Sequence, residues 1–188
     1  MTQEAFAFLS KMQNNFLNPT RLIESFNIQK GDYIADFGAG HGHFAIAMAE
    51  RVGGDGRVYA MDINRHAIDI IRRDAKHRHL LNICPVWADI EKPEGSSLKE
   101  NFIDAVLAAN ILHQCADTDA VFREAARILH ENGRLLLVDW LPASVLGPDR
   151  ELRVGPQDAA ASARAAGFVL ADEFDAGKYH YGLEFRKK

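Results

Sequence analysis

The run Asp36-Phe37-Gly38-Ala39-Gly40-His41-Gly42-His43 leads from an apolar stretch through a glycine-rich turn into a helical pattern. Glycine is required in such a turn where a ligand comes closer to the backbone than a Cβ would allow. A turn that opens a helix also offers backbone N–H groups at the positive end of the helix dipole. Asp62 ends the next apolar stretch, about 20 residues further on, where a carboxylate can accept hydrogen bonds from both hydroxyls of a ribose. Two later apolar runs end in groups able to move or hold a proton. His113 lies in Ile111-Leu112-His113-Gln114-Cys115, and an imidazole titrates near neutrality. Asp139 lies in Leu137-Val138-Asp139-Trp140 and could act as a base or cap the element that follows, capping being the more ordinary use.

Two ligand classes use a strand, a glycine turn and a distal carboxylate. Dinucleotides favour G-x-G-x-x-G, with a pyrophosphate against the helix end. Here the pattern is G-x-G-x-G (Gly38, Gly40, Gly42), and His43 stands where the third dinucleotide glycine would be. Asp36 would repel a pyrophosphate and attract an ammonium group. A ligand joining a ribose, an α-amino-acid end and a sulfonium suits the segment better than NAD, which argues against a nicotinamide-dependent oxidoreductase. A tight turn without a ligand would need neither flanking carboxylate.

The elements that must hold these residues read as alternating strands and helices. Strands are expected at Tyr33–Gly38, Arg57–Ile63, Ile83–Ala88, Phe102–Ala109, Arg134–Trp140, Phe168–Asp175 and His180–Arg186. Helical spacing is expected at Phe44–Val52, Arg65–Arg78, Ala116–His130 and Gln157–Ala166, with Gly167 as a C-cap signal. Residues 1–27 are expected to add one or two helices, with Asn18 as N-cap and Pro19 in the first turn of the second. Strands alternating with helices imply βαβ units and a mostly parallel sheet covered on both faces. The short link Ala176–Tyr179 makes the last strand antiparallel to its neighbour.

The chain has 188 residues, 47% hydrophobic and 26% charged, with a formal net charge of −4. That composition fits one globular domain over 1–188, with 1–27 as a helical lid or extension, and excludes disordered, collagen-like and coiled-coil chains. The acidic balance is a poor footprint for a polyanion partner. Cys84 and Cys115 have no metal-ligand spacing and are expected to be buried thiols. No secretory leader or membrane-spanning run is evident, so a cytoplasmic protein is expected.

Taken together, these stretches resemble the class I S-adenosylmethionine-dependent methyltransferases. IADFGAGHGHFAIAMAE is similar to their first motif, VYAMDIN to the second, WADIEKP to the third, FIDAVLAANILHQ to the fourth and ENGRLLLVDW to the fifth. The tail AGF…GKYHYGLEFRK is similar to the ubiquinone/menaquinone C-methyltransferase-like branch. The resemblance implies a Rossmann-like α/β three-layer sandwich whose seven strands run in the order 3-2-1-4-5-7-6, with strand 7 antiparallel. It implies S-adenosylmethionine as cofactor, with Gly38, Gly40 and Gly42 around the methionine end and Asp36 orienting it through backbone groups or water. It implies Asp62 on the ribose, Ile63 on one adenine face, Asp89 at the adenine amino group between Ala88 and Ile90, and Asn110 near the sulfonium. Ala39 departs from the Cys of many relatives, a small change.

The acceptor is expected at the carboxyl ends of the strands, with His113 as the leading base, Asp139 as a second, and Tyr179 and His180 near the same edge. His41 is expected near the cofactor and His43 at the helix start. Trp140 and Phe16 could pack on an apolar acceptor or belong to the core. The basic stretch Arg72, Arg73, Lys76 and Arg78, and the pair His77 and His79, are expected on a solvated face, with no metal site. The leading expectation is methyl transfer to a small-molecule acceptor. Protein or RNA acceptors and a non-catalytic binding protein stay open, as does a homodimer.

Overall fold

The computed structural model describes residues 17–188, so Phe16 and the first part of the 1–27 segment lie outside the described residues. Seven strands form one sheet: β1 (Tyr33–Phe37), β2 (Arg57–Asp62), β3 (Ile83–Trp87), β4 (Ile103–Ala109), β5 (Leu129–Trp140), β6 (Phe168–Phe174) and β7 (His180–Lys187). Their order is β3-β2-β1-β4-β5-β7-β6. β7 runs antiparallel to both β5 and β6, and the remaining pairs are parallel.

Side chains of a strand alternate between faces, and the apolar residues here divide on that period. Ala35, Phe37, Val106, Ala108, Leu135, Leu137, Leu183 and Phe185 pack beneath α4 (Thr118–Ile128) and α5 (Pro156–Ala165). Ile34, Val58, Ala60, Ala105, Leu107, Leu136 and Val138 pack beneath α1 (Pro19–Ser25), α2 (His43–Val52) and α3 (Arg65–His77). Burial on both faces is why the central strands read as continuous apolar runs. β3 is an edge strand, which is where Pro85, unable to donate to a ladder, is tolerated.

Local signals set the helix starts. Asn18 accepts from the Arg21 N–H and Asn64 from the His66 N–H, capping α1 and α3. α4 is shorter than its periodicity predicts, ending at Ile128 rather than His130. The N–H groups of Asn101 and Phe102 take the carbonyls of Arg127 and Ile128, which ends the helix. β5 therefore begins at Leu129, not Arg134, and residues 130–133 bulge out of its ladder with β4. The basic residues of α3 are exposed as expected, and Arg72 and Arg78 pair with Asp69 and Glu50.

The strand order reverses between β1 and its neighbours β2 and β4. Loops from adjacent strands diverge there and leave a crevice at the carboxyl ends.

Candidate functional site

The glycine turn joins β1 to α2. Gly38, Gly40 and Gly42 all have positive φ (68°, 53° and 80°), which side chains disfavour. Their surroundings separate their tasks. A Cβ on Gly38 would come within 2.3 Å of Ile111 Cγ2, and one on Gly42 within 2.8 Å of Ile71 Cγ1. These two glycines permit close packing. A Cβ on Gly40 would meet nothing within 4 Å, so the turn leaves room for a ligand at that glycine. The turn is held by bonds from Ala39 N–H to the Met61 carbonyl and from Gly40 N–H to Asp62 Oδ2, each 2.8 Å.

A cavity of about 330 Å³ opens over the ends of β1, β2 and β3, a size within the range of small-molecule sites. Gly38, Gly40, Asp62, Ile63, Ala88, Asp89 and Ile90 line it, so seven of the sequence-predicted residues meet on one wall. Asp62 also accepts the Asn64 N–H through Oδ1 at 2.8 Å. Both oxygens are thereby fixed, and a carboxylate retains further lone pairs for two hydroxyls. Asp89 pairs with Lys92 at 3.0 Å. Asp62, Asp89 and Glu91 are the charged lining residues among those described, and no Lys or Arg joins them. Ribose hydroxyls, an adenine and a cationic group suit this donor and acceptor set, and a pyrophosphate does not.

Four of the residues expected at the cofactor do not line the cavity. Asp36 is 2% exposed and absent from the cavity wall. Burial, and then the Asp62 carboxylate, push its pKa up to about 8. It is therefore mostly a neutral acid near neutral pH, and the attraction to an ammonium inferred from its charge does not operate directly. Asn110, in a left-handed conformation (φ 57°), is also off the wall; its backbone N–H bonds to Val138 and its buried Oδ1 has no protein partner. Ala39 and Gly42 likewise do not line the cavity. His41 does line it, and His43 begins α2.

Sequence reasoning missed Glu91 on the wall, and placed Gln114 and Cys115 only within the segment Asn110–Cys115 expected to face the acceptor. The signal available for Glu91 was position, since it follows a strand end that faces the crevice. Both cysteines are half-buried rather than fully buried. Cys115 is held as a thiol: burial, followed by the carboxylates Glu91, Asp139, Asp117 and Asp89, pushes its pKa up to about 12.

The second half of the crevice lies over β4, β5 and β7. Asp139 is fully buried and accepts N–H groups from Leu112 (3.0 Å) and Trp140 (2.7 Å). It thus supports the short 3₁₀ turn Leu112–Gln114 that carries His113. Burial raises the pKa of Asp139, opposed by those two backbone bonds. His113 Nδ1 is buried without a hydrogen-bond partner among the described residues, 4.0 Å from Asp139 Oδ1. His180 stacks on Trp140 with ring centroids 4.1 Å apart, and neither of its nitrogens has a partner among the described residues. Burial lowers its pKa to about 4. Tyr179 is half-buried, its carbonyl accepting the Leu141 N–H.

Comparison with known proteins follows the same lines. A family model described as a methyltransferase domain matches residues 28–163. The ubiquinone/menaquinone biosynthesis C-methyltransferase UbiE of Neisseria meningitidis is 32% identical over 122 residues, covering 63% of this chain and 46% of that protein. The chain thus spans less than half the length of that relative. Among solved structures, a SAM dependent methyltransferase from Aquifex aeolicus superposes with a TM-score of 0.84 at 20% identity, covering 97% of this chain and 98% of its own. An arsenic(III) S-adenosylmethionine methyltransferase from Chlamydomonas reinhardtii gives a TM-score of 0.68 at 22% identity, covering 86% and 65%. The two structures share the fold with this chain.

Proposed function

From the premise that this chain belongs to the methyltransferase domain family, among the S-adenosylmethionine-dependent methyltransferases, we propose that it transfers a methyl group from that cofactor to a small-molecule acceptor. The observation that carries this reading is the acidic cavity beside Gly40, with Asp62 anchored between two backbone N–H groups. A polyanionic acceptor would be repelled from a mouth lined by three carboxylates and no cation among the described residues. A small aromatic acceptor of the quinol type is the first to test, because the UbiE relative takes its name from ubiquinone and menaquinone biosynthesis.

In this reading the bound cofactor supplies an electrophilic methyl group on a sulfonium, open to in-line displacement. Asp62 holds the ribose hydroxyls, Ile63 packs on the adenine, and Asp89, flanked by Ala88 and Ile90, meets its amino group. Gly40 lets the ligand approach the backbone, with Gly38 and Gly42 keeping the turn closed behind it. Asp36, Ala39 and Asn110 act from beneath or beside the wall. Much of the rate then comes from holding the acceptor near attack distance. His113 takes the acceptor's proton where the acceptor carries one, and Asp139 positions the turn that bears His113.

The test is transfer of labelled methyl from the cofactor to panels of phenols, quinols, amines and thiols, run beside RNA and protein fractions. Label in a small molecule, slowed in His113→Gln with donor affinity unchanged, is expected. Label confined to RNA or protein would overturn the acceptor class.

A further inference from the structure

Trp87 closes β3 at the outer rim of the cavity and is half exposed, an unusual place for a large apolar ring. Its indole N–H donates to the Ile63 carbonyl at 2.8 Å. The Arg65 guanidinium lies 4.0 Å above the ring, within cation–π range. Ile63 is itself 61% exposed and lines the cavity. An exposed aliphatic side chain has no packing of its own to fix it, so its position depends on how its backbone is held. Segment 62–65 is held on the inner side by Asp62, which accepts from Gly40 and Asn64. On the outer side the Ala88 N–H donates to the Asp62 carbonyl at 3.1 Å, and the Ile63 carbonyl itself is held by Trp87.

We infer that Trp87, braced by Arg65, is a positioning residue that fixes the Ile63 shelf against which the nucleoside base of the ligand rests. The inference rests on the cofactor reading above. It assigns Trp87 no contact with reacting atoms. Its effect is to order Ile63 before the ligand arrives, which lowers the entropy cost of binding.

The experiment compares wild type with Trp87→Phe, which keeps an aromatic ring beneath Arg65 and removes the N–H donor. S-adenosylhomocysteine and 5′-methylthioadenosine, which lacks the amino-acid end, are titrated by calorimetry. Both should bind about threefold to tenfold more weakly to the variant, as expected for one lost hydrogen bond, because the defect lies on the nucleoside side. Arg65→Ala should weaken both ligands and Arg65→Lys should retain most of the affinity. The chain has 2 tryptophans, so its emission should also change on titration with S-adenosylhomocysteine, and most of that change should vanish in Trp87→Phe. Melting temperatures of wild type and Trp87→Phe should agree closely. If wild type binds S-adenosylhomocysteine and Trp87→Phe binds it equally well, the positioning role falls and the cofactor reading stands. A weaker variant that also melts far lower has a general packing defect, which overturns the positioning role. Wild type that binds neither ligand overturns both.

Discussion

The two halves of the crevice satisfy their polar groups to different degrees. Over β1, β2 and β3, Asp62 is anchored through both oxygens, Asp89 pairs with Lys92, and the Ile63 carbonyl is taken by Trp87, leaving Asp36 Oδ2 buried without a partner among the described residues. Over β4, β5 and β7, Asn110 Oδ1, His113 Nδ1 and both His180 nitrogens are buried without partners among the described residues. A buried polar atom left unpaired costs roughly 1–3 kcal/mol. The first half holds most of its polar groups in place, whereas the second leaves more of them unpaired among the described residues. That contrast matches a constant donor on one side and a variable acceptor on the other.

The largest effect that could break the contrast is at Asp62. Asp62→Ala removes two anchors and an acceptor for hydroxyls, and should weaken S-adenosylhomocysteine about tenfold to a hundredfold, or ~1.4–2.7 kcal/mol. Unchanged affinity by calorimetry would end the ribose assignment. A glycine pair sharpens the picture within the same half. Gly40→Ala puts a methyl group into open space beside the cavity, and should weaken the ligand roughly threefold to tenfold, while left-handed strain alone lowers the melting temperature by about 2–4 °C. Gly42→Ala drives a Cβ toward Ile71, and should lower the melting temperature by about 4–8 °C while leaving affinity nearly intact. A reversed pattern would mean that Gly42, not Gly40, faces the ligand.

The smallest expected effects concern pH, and they have opposite signs in the two halves. Asp36 titrates at about 8 in the folded chain, against 3.8 ordinarily. Its favourable contribution is complete below about pH 4 and lost as pH rises through 8, because the unfolded chain gives up the proton first. His180 is depressed to about 4 from 6.5. Its contribution is complete above about pH 6.5 and lost as pH falls through 4, because the unfolded chain takes up the proton first. Thermal melts should therefore show Asp36→Asn gaining on wild type as pH rises from 4 to 9, and His180→Phe gaining on wild type as pH falls from 8 to 4.5. Parallel pH profiles for wild type and either variant would contradict the corresponding assignment.

Legibility divides along the same line. The strands and the cavity wall follow from short-range signals (apolar runs, a glycine turn, and a carboxylate at a set distance beyond it), whereas the strand order comes from the family resemblance. Seven of the eleven residues expected at the cofactor line the cavity because strand ends in a parallel sheet must converge there. The burial of Asp36 was not legible, because the sequence shows a carboxylate and only packing makes it a neutral acid. Nor was the left-handed conformation of Asn110, which follows a strand without a glycine to announce it. Trp87 and Arg65 were invisible as a pair because a hydrogen bond between adjacent strand ends leaves no periodic trace. Gln114 and Cys115 lie on a 3₁₀ turn and its cap, which are too short to announce themselves by periodicity.

The central claim is that the anchored half is shaped for a cationic adenosyl amino acid. Calorimetry of the intact chain with S-adenosylhomocysteine and, separately, with NADH tests it most directly. Saturable micromolar binding of the first and no heat from the second is the expected result. Binding of NADH, or no binding of S-adenosylhomocysteine, would contradict it.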